Sequence, residues 1–273
     1  AIADQNAYDP FMRLALLPGL VTQPDLALGA LLSEDRPDNG GLELLTLSAE
    51  GAASHVSLND ARQLLAQASD IMRNDPAGVQ AFLRGFAAGQ ISSNAFDNDS
   101  ERRVLADALA PVLESDSPGV LRESWSLARA LNIDRLPGQD DALRRARATV
   151  EDDATPVDTR VENLRVLEFA PFPDRAELLY ALLDTRQPRE LQREAIRQLQ
   201  DEGTTEVAER LIALWRVLGP ETRPVAGDTL LYKRPNQPLL LSALESGRIS
   251  LGEMNFHLER RRALLHSRNS DIV

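Results

Sequence analysis

The only imidazoles in this chain are His55, His257 and His266. A metal site needs ligands that converge from one helix face, at i and i+4, or from neighbouring elements. His257 and His266 are nine residues apart and no His-Glu-x-x-His pattern occurs. All three are read as surface or packing residues. Phe96–Glu101, FDNDSE, is oxygen-rich like a calcium loop, but the glycine at the sixth position and the glutamate at the twelfth are missing. A helix N-cap by Asp97 or Asp99 accounts for it better. VEDD at Val150–Asp153 reads as solvated loop. The basic runs RRAR, Arg144–Arg147, and ERRR, Glu259–Arg262, read as solvated ion-pairing surface. As a functional surface they would dock an anionic partner. Gly40-Gly41 and Gly85-x-x-x-Gly89 lack the Lys-Ser/Thr of a phosphate loop, and Gly85 and Gly89 suit close helix packing instead. No Gly-x-Ser-x-Gly elbow anchors a serine nucleophile. With 42 acidic residues, paired carboxylates carry no information by themselves. The residues thus nominate no catalytic, cofactor-binding or metal-binding group, and binding of haem, zinc or flavin is not expected.

Composition narrows the classes further. The 273 residues are 43% hydrophobic and 26% charged, a globular mixture. Only 4% are aromatic, so burial must come from Leu, Ala, Val and Ile, which suits helices. Net charge is −12, and the first sixty residues hold nine acids against two arginines. A binder of bare phosphate backbone should be basic on at least one face, so nucleic acid is a poor partner. There is no cysteine, hence no disulfide, thiolate metal site or covalent haem within this sequence. No apolar run approaches the ~18–20 residues of a membrane span, so direct membrane insertion is not expected.

The elements are read from periodicity. In DTRQPRELQREAIRQL, Asp184–Leu199, the apolar residues Leu191, Ala195, Ile196 and Leu199 form one helical stripe. Pro188 suits the first helical position and Glu190 the first turn. Pro156, Pro188 and Pro220 recur at a spacing of 32, each opening a helical pattern with an acid close behind. Second helices are expected at Arg175–Asp184, Glu206–Leu218 and Gln237–Glu245, with Gly203 and Gly247 closing helices. The N-terminal half is less regular. Helices are expected to open at Asp9-Pro10, Pro24, Asp75-Pro76 and Ser117-Pro118, and to cover Val104–Leu113. Asp35–Ser57, with Pro37 and three glycines, reads as a long connection with a short strand at LELLTL. Val150–Pro156 reads as a hinge between an irregular half, 1–150, and a regular one, 151–273. Helix pairs at this period are the signature of stacked repeats. The expected fold is an all-α, right-handed α-solenoid of about seven HEAT-like antiparallel helix pairs.

A resemblance adds context. LRVLEFAPF, Leu164–Phe172; ALLDTRQPRELQREAIRQL, Ala181–Leu199; VAERLIALWRVLGPETR, Val207–Arg223; LLLSALESGRIS, Leu239–Ser250; and RRALLHSRNSDIV, Arg261–Val273, resemble the HEAT-like region of planctomycete-type membrane-bound dehydrogenase-like proteins. DPFMRLALL, Asp9–Leu17, and FLRGFAAG, Phe82–Gly89, resemble its earlier helices. The family carries a sugar-dehydrogenase-like β-propeller, then helical repeats, then a c-type cytochrome, and is exported. The Cys-x-x-Cys-His haem motif and the propeller are absent from this sequence, so no redox residue carries over. The resemblance implies a non-catalytic scaffold in a periplasmic or otherwise exported redox protein, with propeller and cytochrome modules as partners and no cofactor of its own. The alternatives are a free-standing protein- or peptide-binding repeat module and an α-toroid enzyme working through carboxylates. The tail at Asp271–Val273 resembles the opening of a further helix, and the chain is expected to be part of a longer protein in which Ile272 and Val273 pack on the preceding pair.

Overall fold

The 32-residue proline spacing materialises as a repeat of helix starts. The computed structural model describes residues 28, 29, 32, 39–93, 96, 98–134, 136, 138–250 and 252–254. Regular structure among them is entirely helical. Twelve α-helices have both ends defined: α1 Asn39–Ala52, α2 Leu58–Ile71, α3 Pro76–Ser93, α4 Asp99–Leu109, α5 Pro118–Ala130, α6 Gln139–Glu151, α7 Val157–Val166, α8 Phe172–Ala181, α9 Arg189–Glu202, α10 Thr205–Leu214, α11 Thr222–Tyr232 and α12 Gln237–Glu245. They make six successive pairs. The chain divides into two compact units, residues 1–146 and 147–273, with the division inside α6.

In the second unit the pairs are nearly periodic. First helices begin at 157, 189 and 222, steps of 32 and 33; second helices begin at 172, 205 and 237, steps of 33 and 32. Alternate helices pack together: α7 on α9, α9 on α11, and α10 on α12. Each pair buries one apolar stripe against the next, as Leu164, Leu191, Ala195, Leu199, Leu211 and Leu230 do, all fully buried. Trp215 is buried, its ring against Gly227 of α11. In the first unit α1 packs on α3, α3 on α5, and α2 on α4. Its first helices start at 39, 76 and 118, steps of 37 and 42, so the period is looser.

Several local expectations are corrected. Asp35–Ser57 is not a connection with a strand: α1 occupies most of it. Leu44, Leu45, Ala49 and Ala52 fall on one buried face, and that burial outweighs the helix-breaking glycines. Gly40 and Gly41 sit in the first turn, where amides have no intrahelical partner. Pro156 and Pro188 are N-caps rather than first helical residues, with φ −53° and −52° and ψ 140°. The proline ring fixes φ, and an N-cap has extended backbone, so the two agree. Pro220 stands one residue further out, before the N-cap Glu221. The helix expected to run to Leu113 ends at Leu109, and a 3-10 turn, Ala110–Glu114, carries Pro111. Asn98, not an aspartate, caps α4, its side chain accepting the Glu101 amide at 2.9 Å. Gly203 and Gly247 close α9 and α12 with φ +55° and +68°, as expected of C-terminal glycines. Asp97, the helices opening at Asp9-Pro10 and Pro24, the run Glu259–Arg262, His257, His266 and the tail at Ile272-Val273 lie outside the described residues or are described only in part.

The segment read as a hinge is tightly bonded within the second unit. Arg160, buried in α7, donates from Nε to the Val150 carbonyl at 2.9 Å and pairs with Asp153 at 2.9 Å. Asp152 accepts from the Ala154 amide and the Thr155 hydroxyl at 3.0 and 2.8 Å. Those two bonds hold its carboxyl below the usual range.

Candidate functional site

The odd-numbered helices repeat a placement of charge. The sixth residue of α7 is Glu162, of α9 Glu194 and of α5 Glu123. The ninth residue of α3 is Arg84, of α7 Arg165 and of α9 Arg197. Within each unit the ninth-position arginine reaches the sixth-position glutamate of the next odd helix. Arg84 meets Glu123 at 3.2 Å, and Arg165 meets Glu194 at 3.4 Å. Both glutamates are buried and take a second guanidinium from their own helix, Arg122 at 2.9 Å and Arg197 at 2.6 Å. At Glu194 helical geometry explains the rung: Arg197, three residues on, shares its face, while Arg165 reaches across from α7. At Glu123 the second guanidinium comes from the adjacent Arg122.

The rung at Glu194 is densely bonded. Its carboxylate accepts from Arg197 at 2.6 and 3.3 Å and from Gln198 at 3.0 Å. Burial pushes this carboxyl up, but the bonds from Arg197 and Gln198 and the charges of Arg197 and Arg165 outweigh it. Its pKa ends below the ordinary glutamate value. Arg197 also holds Glu168 at 3.0 Å and Asp201 at 2.6 Å. Bonds to Glu194 are the main reason its pKa is raised. Gln198 donates to the Leu164 carbonyl of α7 at 2.8 Å and accepts from Arg175 at 2.9 Å.

The Glu194 rung lines an open groove of about 530 Å³ between α7 and α9. Its walls are Asp158, Val161, Glu162 and Arg165 from α7, and Glu190, Arg193, Glu194 and Arg197 from α9. These are the second, fifth, sixth and ninth residues of each helix. A second groove, about 370 Å³, lies between α1 and α3 and uses Ala77, Gln80, Ala81 and Arg84, the same four positions of α3. The opposite wall, with Leu42 and Leu47, makes that groove mostly apolar. Each unit thus carries a groove along the same four positions of an odd-numbered helix.

Four carboxylates line the larger groove, the convergence an acid–base enzyme would need, yet guanidiniums alternate with them. A general acid at neutral pH needs a raised pKa, whereas Glu194 is held ionised. Other sequence candidates are placed plainly. His55 is exposed in the turn after α1. Arg144 pairs with Asp141, and Arg147 with Glu151 at 2.9 Å. Arg147 also reaches the Asp174 carbonyl at 2.6 Å. The close-packing reading of Gly85 and Gly89 holds: a Cβ on them would lie 2.0 Å from the Thr46 carbonyl oxygen and 2.3 Å from that of Glu50. Sequence reading missed the rungs, although Glu162/Glu194 and Arg165/Arg197 each repeat at 32. Among the described residues no group of three or more His, Asp or Glu is placed to hold a metal ion, and no helix is long and apolar enough to cross a membrane. No protein-family model, curated protein or solved structure matches this chain.

Proposed function

We propose that this chain is a non-catalytic helical-repeat scaffold, a right-handed solenoid of HEAT-like pairs that presents its odd-helix row to protein partners. The observation that carries the reading is the repeated rung. The charged side chains lining the α7–α9 groove mainly pair with each other, binding one pair of helices to the next. A repeat array of this kind sets distance, since neighbouring helices pack ~8–10 Å apart. From the resemblance of Leu164–Val273 alone, the modules it would hold in register are a dehydrogenase-like β-propeller and a c-type cytochrome of an exported, periplasmic redox protein.

The test mixes the purified chain with propeller and cytochrome modules encoded beside it, followed by light scattering on a sizing column. A complex containing all three is expected, and haem reduction by the propeller should quicken when the chain is present. The reading fails if neither module binds. The α1–α3 and α7–α9 grooves favour a second reading, a free-standing binding module, which predicts a partner outside the redox pair.

A further inference from the structure

We propose that the groove between α7 and α9 docks an extended segment of a partner protein bearing one basic and one acidic side chain on the same face. The inference rests on the scaffold-and-binding reading and deepens it. At the floor of the groove the Glu194 carboxylate is already engaged, accepting from Arg165 and Arg197 at 2.6–3.4 Å. The mouth is different. The side chain of Asp158, exposed on the α7 wall, makes no hydrogen bond or ion pair among the described residues. Arg193, on the α9 wall, has a side chain 61% exposed. Its nearest carboxylate oxygens, on Glu190 and Glu221, stand at 3.8 and 4.0 Å, beyond hydrogen-bond reach. An occupant thus meets a solvent-exposed carboxylate with no ion pair on one wall and, on the other, an exposed guanidinium held only by long ion pairs to Glu190 and Glu221. The complement is a cation and a carboxylate on one molecule.

Dimensions favour a polypeptide. Side chains two apart on an extended chain lie on one face, roughly 6.5–7 Å apart. The two walls belong to helices ~8–10 Å apart, a gap that long side chains close. A small ligand is the poorer fit. Small-molecule sites are concave and aim a few unpaired polar groups inward; here the groove is open, and none of the buried side-chain atoms without a partner lies in its lining.

Three synthetic peptides of equal length provide the probe: Lys-Ser-Glu-Ser repeats, which alternate the charges along one face, Glu-Ser repeats and Lys-Ser repeats. Binding to the full chain is read by fluorescence anisotropy at two salt concentrations. The mixed peptide should bind at least tenfold more tightly than either single-sign peptide. Arg193→Glu should weaken it at least tenfold, Arg193→Lys should retain most of the affinity, and Asp158→Lys should weaken it as Arg193→Glu does. Thermal melting checks that the variants fold; both positions are exposed, so unchanged melting is expected. Equal affinity for all three peptides, no binding by the mixed one, or indifference to Arg193→Glu overturns the groove assignment. None of these outcomes touches the scaffold reading, which is decided by the complex with the two modules.

Discussion

The α1–α3 and α7–α9 contacts do the same job, stacking one repeat on the next, by opposite means. Between α1 and α3 the backbones nearly touch. Gly85 and Gly89 leave no room for a Cβ against the Thr46 and Glu50 carbonyls. Polar contacts there include single bonds from Thr46 Oγ to the Ala81 carbonyl at 3.2 Å and from Gln90 to the Ala53 carbonyl at 2.6 Å. Between α7 and α9 neither helix contains a glycine. There the Arg165–Glu194–Arg197–Glu168 network spans the contact, with Gln198 bonding back to α7. One contact is limited by volume and the other by charge. The first should therefore fail to added atoms and ignore pH, and the second should do the reverse.

The largest effect expected is at the largest buried side chain of the second unit. Trp215 is fully buried, its ring packs on Gly227, and its indole N–H reaches Glu253 at 3.4 Å. Trp215→Ala should cost about 3–5 kcal/mol in urea unfolding. A loss below about 1 kcal/mol would mean that the second unit is held by charge throughout. Next comes the first unit. In Gly85→Ala the new methyl meets a backbone carbonyl that cannot turn away, which places the cost at the upper end of the ~1–3 kcal/mol for overpacking. Alanine returns about 1 kcal/mol of helix propensity. A net loss of about 2 kcal/mol is expected, and Gly89→Ala added to it should cost less than it does alone, because the helices have already parted. Additive losses would show two independent contacts instead of one.

How far the sequence discloses each contact follows the same division. α7, α9 and α11 are legible because their start signals are local: Pro156, Pro188 and Pro220 fix the entry of each helix. α1 is illegible because Gly40, Gly41 and Gly51 are breakers by every local measure, and what makes the segment helical is burial against α3, more than thirty residues away. The rungs lie between these cases. Glu162/Glu194 and Arg165/Arg197 carry the 32-residue period openly, but a charge on a helix looks solvated until the neighbouring helix is in place. The Arg84–Glu123 rung is hidden outright, since its 39-residue separation belongs to the looser first unit.

The charge-limited contact should respond to acid. The carboxyl of Glu194 is held below its ordinary value in the folded chain, so the folded state binds fewer protons there than the unfolded chain does. Its contribution is therefore complete above the unfolded value, about 4.3, and is lost as pH falls from there through the folded value. Glu194→Gln keeps the shape and removes the charge. It should cost about 1–2 kcal/mol at neutral pH and flatten the stability profile below about pH 4.5 relative to the parent. High salt should weaken the parent only slightly, because the carboxylate is buried. If Gly85→Ala flattened the acid limb as much as Glu194→Gln does, the two contacts would be coupled rather than distinct.

The smallest effect tests whether backbone proximity, and not glycine as such, sets the cost. Gly227 sits inside α11 as Gly85 sits inside α3, and both are buried. A Cβ at Gly227 would meet Met254 Sδ and Cε at 3.3 Å and the Trp215 ring at 3.7 Å. Methionine has three rotatable bonds and a soft thioether that can move a few tenths of an ångström. Alanine's helix preference, about 1 kcal/mol, works in the other direction. The two should nearly cancel, leaving Gly227→Ala within about 0.5 kcal/mol of the parent. Denaturant midpoints of Gly227→Ala and Gly85→Ala, measured side by side, read this difference directly. Equal losses would mean that both glycines are needed for helix proximity, and that the second unit is as volume-limited as the first.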